Sequence, residues 1–84
     1  MIVKVREANF DLVYRNGFLF GKVRALISLT KIPNFVLEFN YHSGRYSRKD
    51  FLKAIEDAEP QAIPYAKEIA KELEKKYYEL NLSS

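Results

Sequence analysis

The sequence lacks cysteine and tryptophan altogether, and its 84 residues include one histidine, one methionine, three glycines and three prolines. Without cysteine the chain cannot form a disulfide, bind zinc through thiolates or use a thiol as a nucleophile. The lone histidine, His42, excludes a metal site built from several imidazoles. We therefore expect a domain that uses no metal and no cofactor.

Long apolar runs are also missing, since the chain has no stretch of about 18 apolar residues, the length that a transmembrane helix needs. The first segment, MIVKVREANFD, is charged from the start and lacks the apolar centre of a signal peptide. The expected location is the cytoplasm, and no membrane partner is expected.

The chain does contain enough apolar and aromatic area for one domain over residues 1–84. Hydrophobic residues make up 48% of the sequence, with six phenylalanines and six tyrosines. A chain this short buries only about two-thirds of its unfolded surface, so its stability is marginal unless it associates. Lysine, glutamate, isoleucine and tyrosine are frequent, which is typical of proteins from thermophiles.

Charge is divided unevenly along the chain. Residues 1–53 hold ten lysines and arginines against four acids, whereas residues 54–84 hold four lysines against seven acids. A basic surface raises the local concentration of polyanions and steers them toward the protein. This basic first half therefore favours nucleic acid, DNA or RNA, as the partner.

The first half also alternates between apolar and polar residues, which is typical of strands. The alternation predicts strands at 2–6, 10–15, 18–30 and 35–42. Asn16-Gly17 predicts a tight hairpin turn, because both residues tolerate the positive φ angles that such a turn requires. Gly21 predicts a bulge or bend, and residues 31–34 predict a second turn.

Helical spacing of apolar residues replaces this alternation after Gly44. One helix is predicted from about residue 48 to 59, ending at Pro60, and a second from 65 to 80. Ser47 and Asp50 resemble a capping box at the start of the first helix, and residues 81–84 are expected to fray. The predicted fold is α+β: an antiparallel meander of three to four strands (1–42) covered on one face by a helical hairpin (47–80).

If the helices cover the apolar face of this sheet, the other face is open to solvent. Lysine and arginine pair with phosphates, and aromatic rings stack on bases, so a face that combines them suits nucleic acid. A solvated face that carries cations only for solubility is the alternative interpretation. The candidate residues on this face are Lys4, Arg6, Arg15, Phe18, Phe20, Lys22 and Arg24.

The junction between the last strand and the first helix is the second candidate. Gly44 permits a tight backbone, and the free N–H groups of a helix start carry partial positive charge. Cations placed there oppose the helix dipole, a local cost that favours a phosphate-binding role over a purely structural one. The candidate residues are Tyr41, His42, Arg45, Tyr46, Arg48 and Lys49.

Catalysis is not expected. Glu38 and His42 share a strand face but lie four residues apart, about 13 Å at the rise of a strand, which is too far for a hydrogen bond. The carboxylates are not spaced as a metal-dependent nuclease requires, and neither a P-loop nor a dinucleotide fingerprint is present. A small metal-free ribonuclease that uses arginine, tyrosine and histidine is the enzymatic alternative.

A protein-interaction module, such as an inhibitor or a regulatory subunit with no nucleic-acid role, is the alternative from a different class. Tyr77 and Tyr78 are adjacent on the second helix and cannot both face one core, so one of them is expected at the surface. Exposed tyrosine is common at interfaces. This interpretation predicts a homodimer or a protein partner bound through Tyr77, Tyr78 and the C-terminal helix.

Overall fold

The computed structural model describes residues 2–82 and contains three long strands followed by two helices. The strands are β1 (Val3–Arg15), β2 (Phe18–Leu29) and β3 (Ile32–His42). The helices are α1 (Ser47–Ala58) and α2 (Ala66–Lys76), joined through a 3-10 segment (Pro60–Tyr65). The predicted α+β arrangement, an antiparallel sheet with two C-terminal helices, is confirmed.

The strands form one antiparallel sheet in the order β1-β2-β3. Asn16 and Gly17 connect β1 to β2 with φ angles of 53° and 82°, as the predicted hairpin turn requires. Arg15 and Phe18 then pair directly across the turn. The second turn is shorter than predicted, because Leu29 pairs with Ile32 and only Thr30 and Lys31 lie between them. Pro33 is tolerated because β3 is an edge strand.

The two strands predicted at 2–6 and 10–15 are one continuous strand. Its pairing with β2 shifts between Val5 and Glu7, so Arg6 is an extra, bulged residue. The bulge moves the inward-facing side chains from odd positions, such as Val5, to even positions, such as Phe10. No turn is needed, and a fourth strand does not form within residues 2–82.

Gly21 does not produce the predicted bulge, because pairing on both sides of β2 continues through it without a shift. It instead permits close contact with β1. A Cβ atom on Gly21 would lie 1.9 Å from the carbonyl oxygen of Asp11, and the residue has a φ of 148°. The glycine is therefore required by the approach of two backbones.

The helices cover one face of the sheet, here called the inner face, and enclose the core with it. Helix α1 packs against β3, where Phe39 meets Phe51 edge-on at 5.4 Å between ring centroids, and helix α2 packs against β1. Each such fully buried apolar side chain contributes about 1.5–3 kcal/mol. The fully buried members include Val23, Ile27, Leu37, Phe51, Ile55, Ile69 and Leu73.

The chain after α2 is not frayed as far as residue 82. The helix ends at Lys76, four residues earlier than predicted, and Leu80 and Leu82 are buried in the core. The N–H of Leu82 donates to the Glu74 carboxylate at 2.6 Å. The prediction that the end of the chain frays is wrong for Asn81 and Leu82, because their N–H groups donate to the Tyr41 hydroxyl and the Glu74 carboxylate. Residues 83–84 lie outside the described residues.

Replacement of Gly21 by alanine is expected to lower the free energy of unfolding by about 2 kcal/mol or more, because the new Cβ meets backbone that cannot move aside. Gly17→Ala is the matched control: its φ is also positive, but nothing lies within 4 Å of its Cβ position. Its expected cost is about 1 kcal/mol, for the backbone conformation alone. Urea unfolding followed by circular dichroism measures both, and equal losses would contradict this role for Gly21.

Candidate nucleic-acid interface

The face of the sheet opposite the helices, here called the outer face, presents its side chains in cross-strand rows. Val13, Phe20 and His42 form one row near the hairpin turn, and Arg15 and Phe18 form the row beyond it. The next two rows are polar. They contain Asp11, Lys22 and Asn40, and then Asn9, Arg24 and Glu38. Aromatic and basic groups therefore do share this face, at the end nearest the hairpin turn.

The middle of the outer face is partly neutralised. Glu38 lies 3.6 Å from the Lys22 ammonium and 3.5 Å from the Arg24 guanidinium. All three side chains are about half exposed, so these pairs contribute little to stability. They do lower the positive charge that Lys22 and Arg24 present to a ligand.

Aromatic rings cluster at the hairpin end of the outer face. The His42 ring lies between Phe18 and Phe20, at centroid distances of 5.1 and 5.8 Å. The Arg15 guanidinium lies 5.9 Å from the Phe20 centroid, a cation–π contact. Phe18 remains 45% exposed despite these contacts. The cluster is thus a continuous aromatic surface with a cation beside it.

The turn after β3 holds this cluster in place. A Cβ on Gly44 would lie 2.5 Å from the Phe18 ring, so only glycine lets the ring lie against the turn. The N–H of Gly44 donates to His42 Nδ1 at 3.0 Å, which orients the imidazole. The N–H of Leu19 donates to the Ser43 hydroxyl at 3.0 Å and ties β2 to the same turn.

Ser47 does not form the predicted capping box. Its hydroxyl is buried, accepts from the N–H of His42 at 2.7 Å and donates to the carbonyl of His42 at 2.8 Å. The residue at the helix start is Tyr46, which makes no side-chain cap. Ser47 therefore joins the start of α1 to the end of β3, a tertiary role that a local motif does not reveal.

Two predicted junction residues have structural roles. Tyr41 is only 3% exposed, lies on the inner face and accepts a hydrogen bond from the N–H of Asn81 at 3.1 Å. Its predicted stacking on a base is wrong because its ring is in the core. Arg48 is half-buried and donates to the Leu82 carbonyl at 2.8 Å, so its guanidinium is already engaged.

Arg45 lies between two concavities. It lines one of about 560 Å³ on the outer face together with Phe20, Lys22, Asn40 and His42. It also lines a second, of about 450 Å³, formed by residues 43–48 and Asn81. A single cation thus stands between the aromatic surface and the helix start.

The other predicted residues lie beside the start of α1 or at the far end of the sheet. Tyr46 is 89% exposed and lines a shallow concavity with Arg48, Lys49 and Leu52. Lys4 is exposed on β1 but lies about 30 Å from the aromatic row at the rise of a strand, and Arg6 occupies the bulge. The structure therefore brings together Arg15, Phe18, Phe20, Lys22, His42 and Arg45, and leaves Lys4 and Arg6 at the opposite end.

Asn40 lines the outer-face concavity but is not among the site residues predicted from the sequence. The alternation of apolar and polar residues in β3 places Asn40 on the outer face beside His42, and this is the available sequence signal. A side-chain amide in an aromatic concavity is a suitable partner for the edge of a base. Asp11 and Asp50 line the same concavity and oppose phosphate there. Charge by itself therefore does not define this site.

Of the two adjacent C-terminal tyrosines, one is packed against the domain and the other is exposed, as predicted. The Tyr77 ring packs on Phe10 with centroids 5.1 Å apart, while Tyr78 is 88% exposed. Within residues 2–82, no group of three or more His, Cys, Asp and Glu side chains is placed to hold a metal ion. Neither helix in that stretch combines the length and apolar character of a membrane span.

Comparison of the chain with protein-family models, with curated proteins and with solved structures finds no match.

Removal of the Ser47 hydroxyl in Ser47→Ala is expected to lower the free energy of unfolding by about 1–3 kcal/mol, because two backbone groups of His42 lose their partner. Arg45→Ala, two residues away on an exposed side chain, is expected to change it by less than about 0.5 kcal/mol. Chemical unfolding of both variants measures the difference. A Ser47→Ala protein as stable as the parent would contradict this role.

Proposed function

We propose that this protein is a small, non-enzymatic nucleic-acid-binding domain. Its ligand lies across the hairpin end of the outer face and continues over the β3–α1 turn. Phe18, Phe20 and His42 provide the surface for bases, and Arg15 and Arg45 hold the flanking phosphates.

The observation that carries this proposal is the position of Arg45. It lines both concavities, so a chain whose base rests on Phe20 and His42 passes its phosphate at the guanidinium. The same phosphate reaches the first turn of α1, where the backbone N–H groups are partly positive. Base and phosphate positions are thus adjacent, as a polynucleotide requires.

The aromatic cluster argues for a purpose beyond solubility. Phe18 is 45% exposed, and its ring lies where two further apolar side chains, Val13 and Phe20, also face outward. Solubility alone would place polar residues there. An exposed ring held against Gly44 loses little conformational entropy on binding, which favours stacking.

Replacing Phe18 by alanine is expected to weaken binding of labelled single-stranded RNA or DNA about 5–100-fold, since one stacked base contributes about 1–3 kcal/mol. Tyr78→Ala is the control, because it removes an exposed aromatic ring from the C-terminal end of the chain. Fluorescence anisotropy at low and physiological salt, with duplex DNA as a third probe, measures the affinities. Equal losses in the two variants would contradict the assigned site.

Arg45→Ala is expected to weaken binding and to reduce the slope of log affinity against log salt by about 0.7–0.9, the loss of one phosphate contact. Lys71→Ala removes another exposed cation, on α2, and is expected to leave the slope unchanged. Weak binding of every probe, lost at physiological salt, would reject the proposal. It would favour the protein-interaction alternative, in which Tyr78 contributes the exposed contact.

A further inference from the structure

The free edge of β3 presents backbone groups away from β2. At His42 both backbone groups point to this edge: the N–H donates to the Ser47 hydroxyl, and the carbonyl accepts from it. The next residue, Ser43, instead donates its N–H to the carbonyl of Leu19 on β2. In an antiparallel strand the backbone N–H and carbonyl groups of every second residue point to the same side. The N–H and carbonyl groups of Val36, Glu38 and Asn40 therefore point to the free edge, as those of His42 do.

These three residues form one wall of a groove of about 450 Å³. Helix α1 forms the other wall, so the unpaired edge faces a helix across open space. The helix residues that line it are Asp50, Lys53, Ala54, Asp57 and Ala58. A groove between an edge strand and a helix is the geometry in which an extended peptide adds a strand to a sheet.

Nothing within residues 2–82 fills or interrupts this edge. No hydrogen bond joins the edge-facing backbone of Val36, Glu38 or Asn40 to another described residue. The β2–β3 register runs without a shift from Phe20–His42 to Ile27–Phe35, so the edge is regular over this length. The opposite edge, on β1, is broken by the bulge at Arg6, a common protection against strand addition.

We propose that this groove binds an extended, basic peptide segment of a partner protein as a fourth strand beside β3. Its lining holds three carboxylates, Glu38, Asp50 and Asp57, and one ammonium, Lys53, which lies 4.0 Å from Asp57. Glu38 also contacts Lys22 and Arg24 on the outer face, so Asp50 is the lining carboxylate that forms no ion pair within residues 2–82. Three carboxylates against one ammonium favour a basic occupant over an acidic one. The groove shares Asn40 and Asp50 with the outer-face concavity, but it binds through the backbone edge of β3 and not through the aromatic face.

A second copy of this chain fits the groove less well. Antiparallel pairing of β3 with itself about Glu38 would place two Glu38 carboxylates opposite each other, a destabilising pair. The acidic helix wall would add to this repulsion. In an added strand, alternate side chains would instead lie beside Glu38 and toward Ala54, which suits a basic and a small apolar residue in turn.

The test uses the labelled peptide acetyl-Lys-Val-Lys-Val-Lys-Val-Lys-amide, titrated into the intact protein and followed by anisotropy and by ¹⁵N amide shifts. Binding is expected with the largest shifts at Val36, Glu38 and Asn40. The same peptide methylated on alternate backbone nitrogens that face β3, and a Glu-Val version, are expected to bind at least about tenfold more weakly. Equal binding of the methylated peptide, or none of the parent peptide, would overturn the proposal.

Asn40→Pro removes one edge-facing N–H without breaking the ladder to β2, as edge strands tolerate proline. It is expected to abolish peptide binding, whereas Asn40→Ala, which keeps the N–H, is expected to bind the peptide as the parent does.

Ala54→Arg fills the groove from the helix side and gives a second test if the proline variant does not fold. Phe18→Ala should leave peptide affinity unchanged, so failure of the nucleic-acid proposal and failure of this one are distinguishable. Retained binding in folded Asn40→Pro and Ala54→Arg proteins would overturn it.

Discussion

The two hydrogen bonds between the Ser47 hydroxyl and the backbone of His42 set the geometry on which the rest of the structure depends. They fix where β3 ends and where α1 begins, and so direct the helix back over the inner face. A buried hydroxyl that satisfies both a donor and an acceptor leaves neither group unpaired, which would otherwise cost about 1–3 kcal/mol each. The outer face is open because the chain turns in this direction.

The open face then acquires its shape from close backbone contacts. Gly21 lets β1 and β2 approach at Asp11, and Gly44 lets the Phe18 ring lie against the β3–α1 turn. A Cβ at Gly21 would meet backbone atoms of β1, whereas a Cβ at Gly44 would displace the Phe18 ring from its present position. The ring of His42 fills the space between Phe18 and Phe20, and the Gly44 N–H holds it there. The aromatic surface is therefore preorganised, which lowers the entropic cost of binding.

Much of the fold could be predicted from the sequence, because alternation assigns each strand residue to a face without knowledge of its partners. The change from odd to even inward positions between Val5 and Phe10 is the sequence signal of the bulge, but alternation alone does not distinguish a bulge from a break between two strands. The roles of Tyr41, Ser47 and Arg48 could not be predicted, because their partners lie in other elements or in the C-terminal segment. A local sequence pattern indicates which face of a strand or helix a residue occupies. Hydrogen bonds between residues 34 or 40 positions apart in the sequence form only in the completed fold.

Strand β3 explains how opposite charges coexist on so small a domain. Its side chains at Asn40 and His42 belong to the outer face with Lys22 and Arg45, while its free backbone edge faces the carboxylates of α1. Glu38 lies between the two regions and pairs with Lys22 and Arg24, so it lowers the positive potential of the sheet centre. For the proposed nucleic-acid ligand this charge distribution favours the hairpin end, where Arg15 and Arg45 form no ion pair within residues 2–82. The same residue lines the groove beside β3, so under the two proposals Glu38 lies at the boundary between the nucleic-acid surface and the peptide groove.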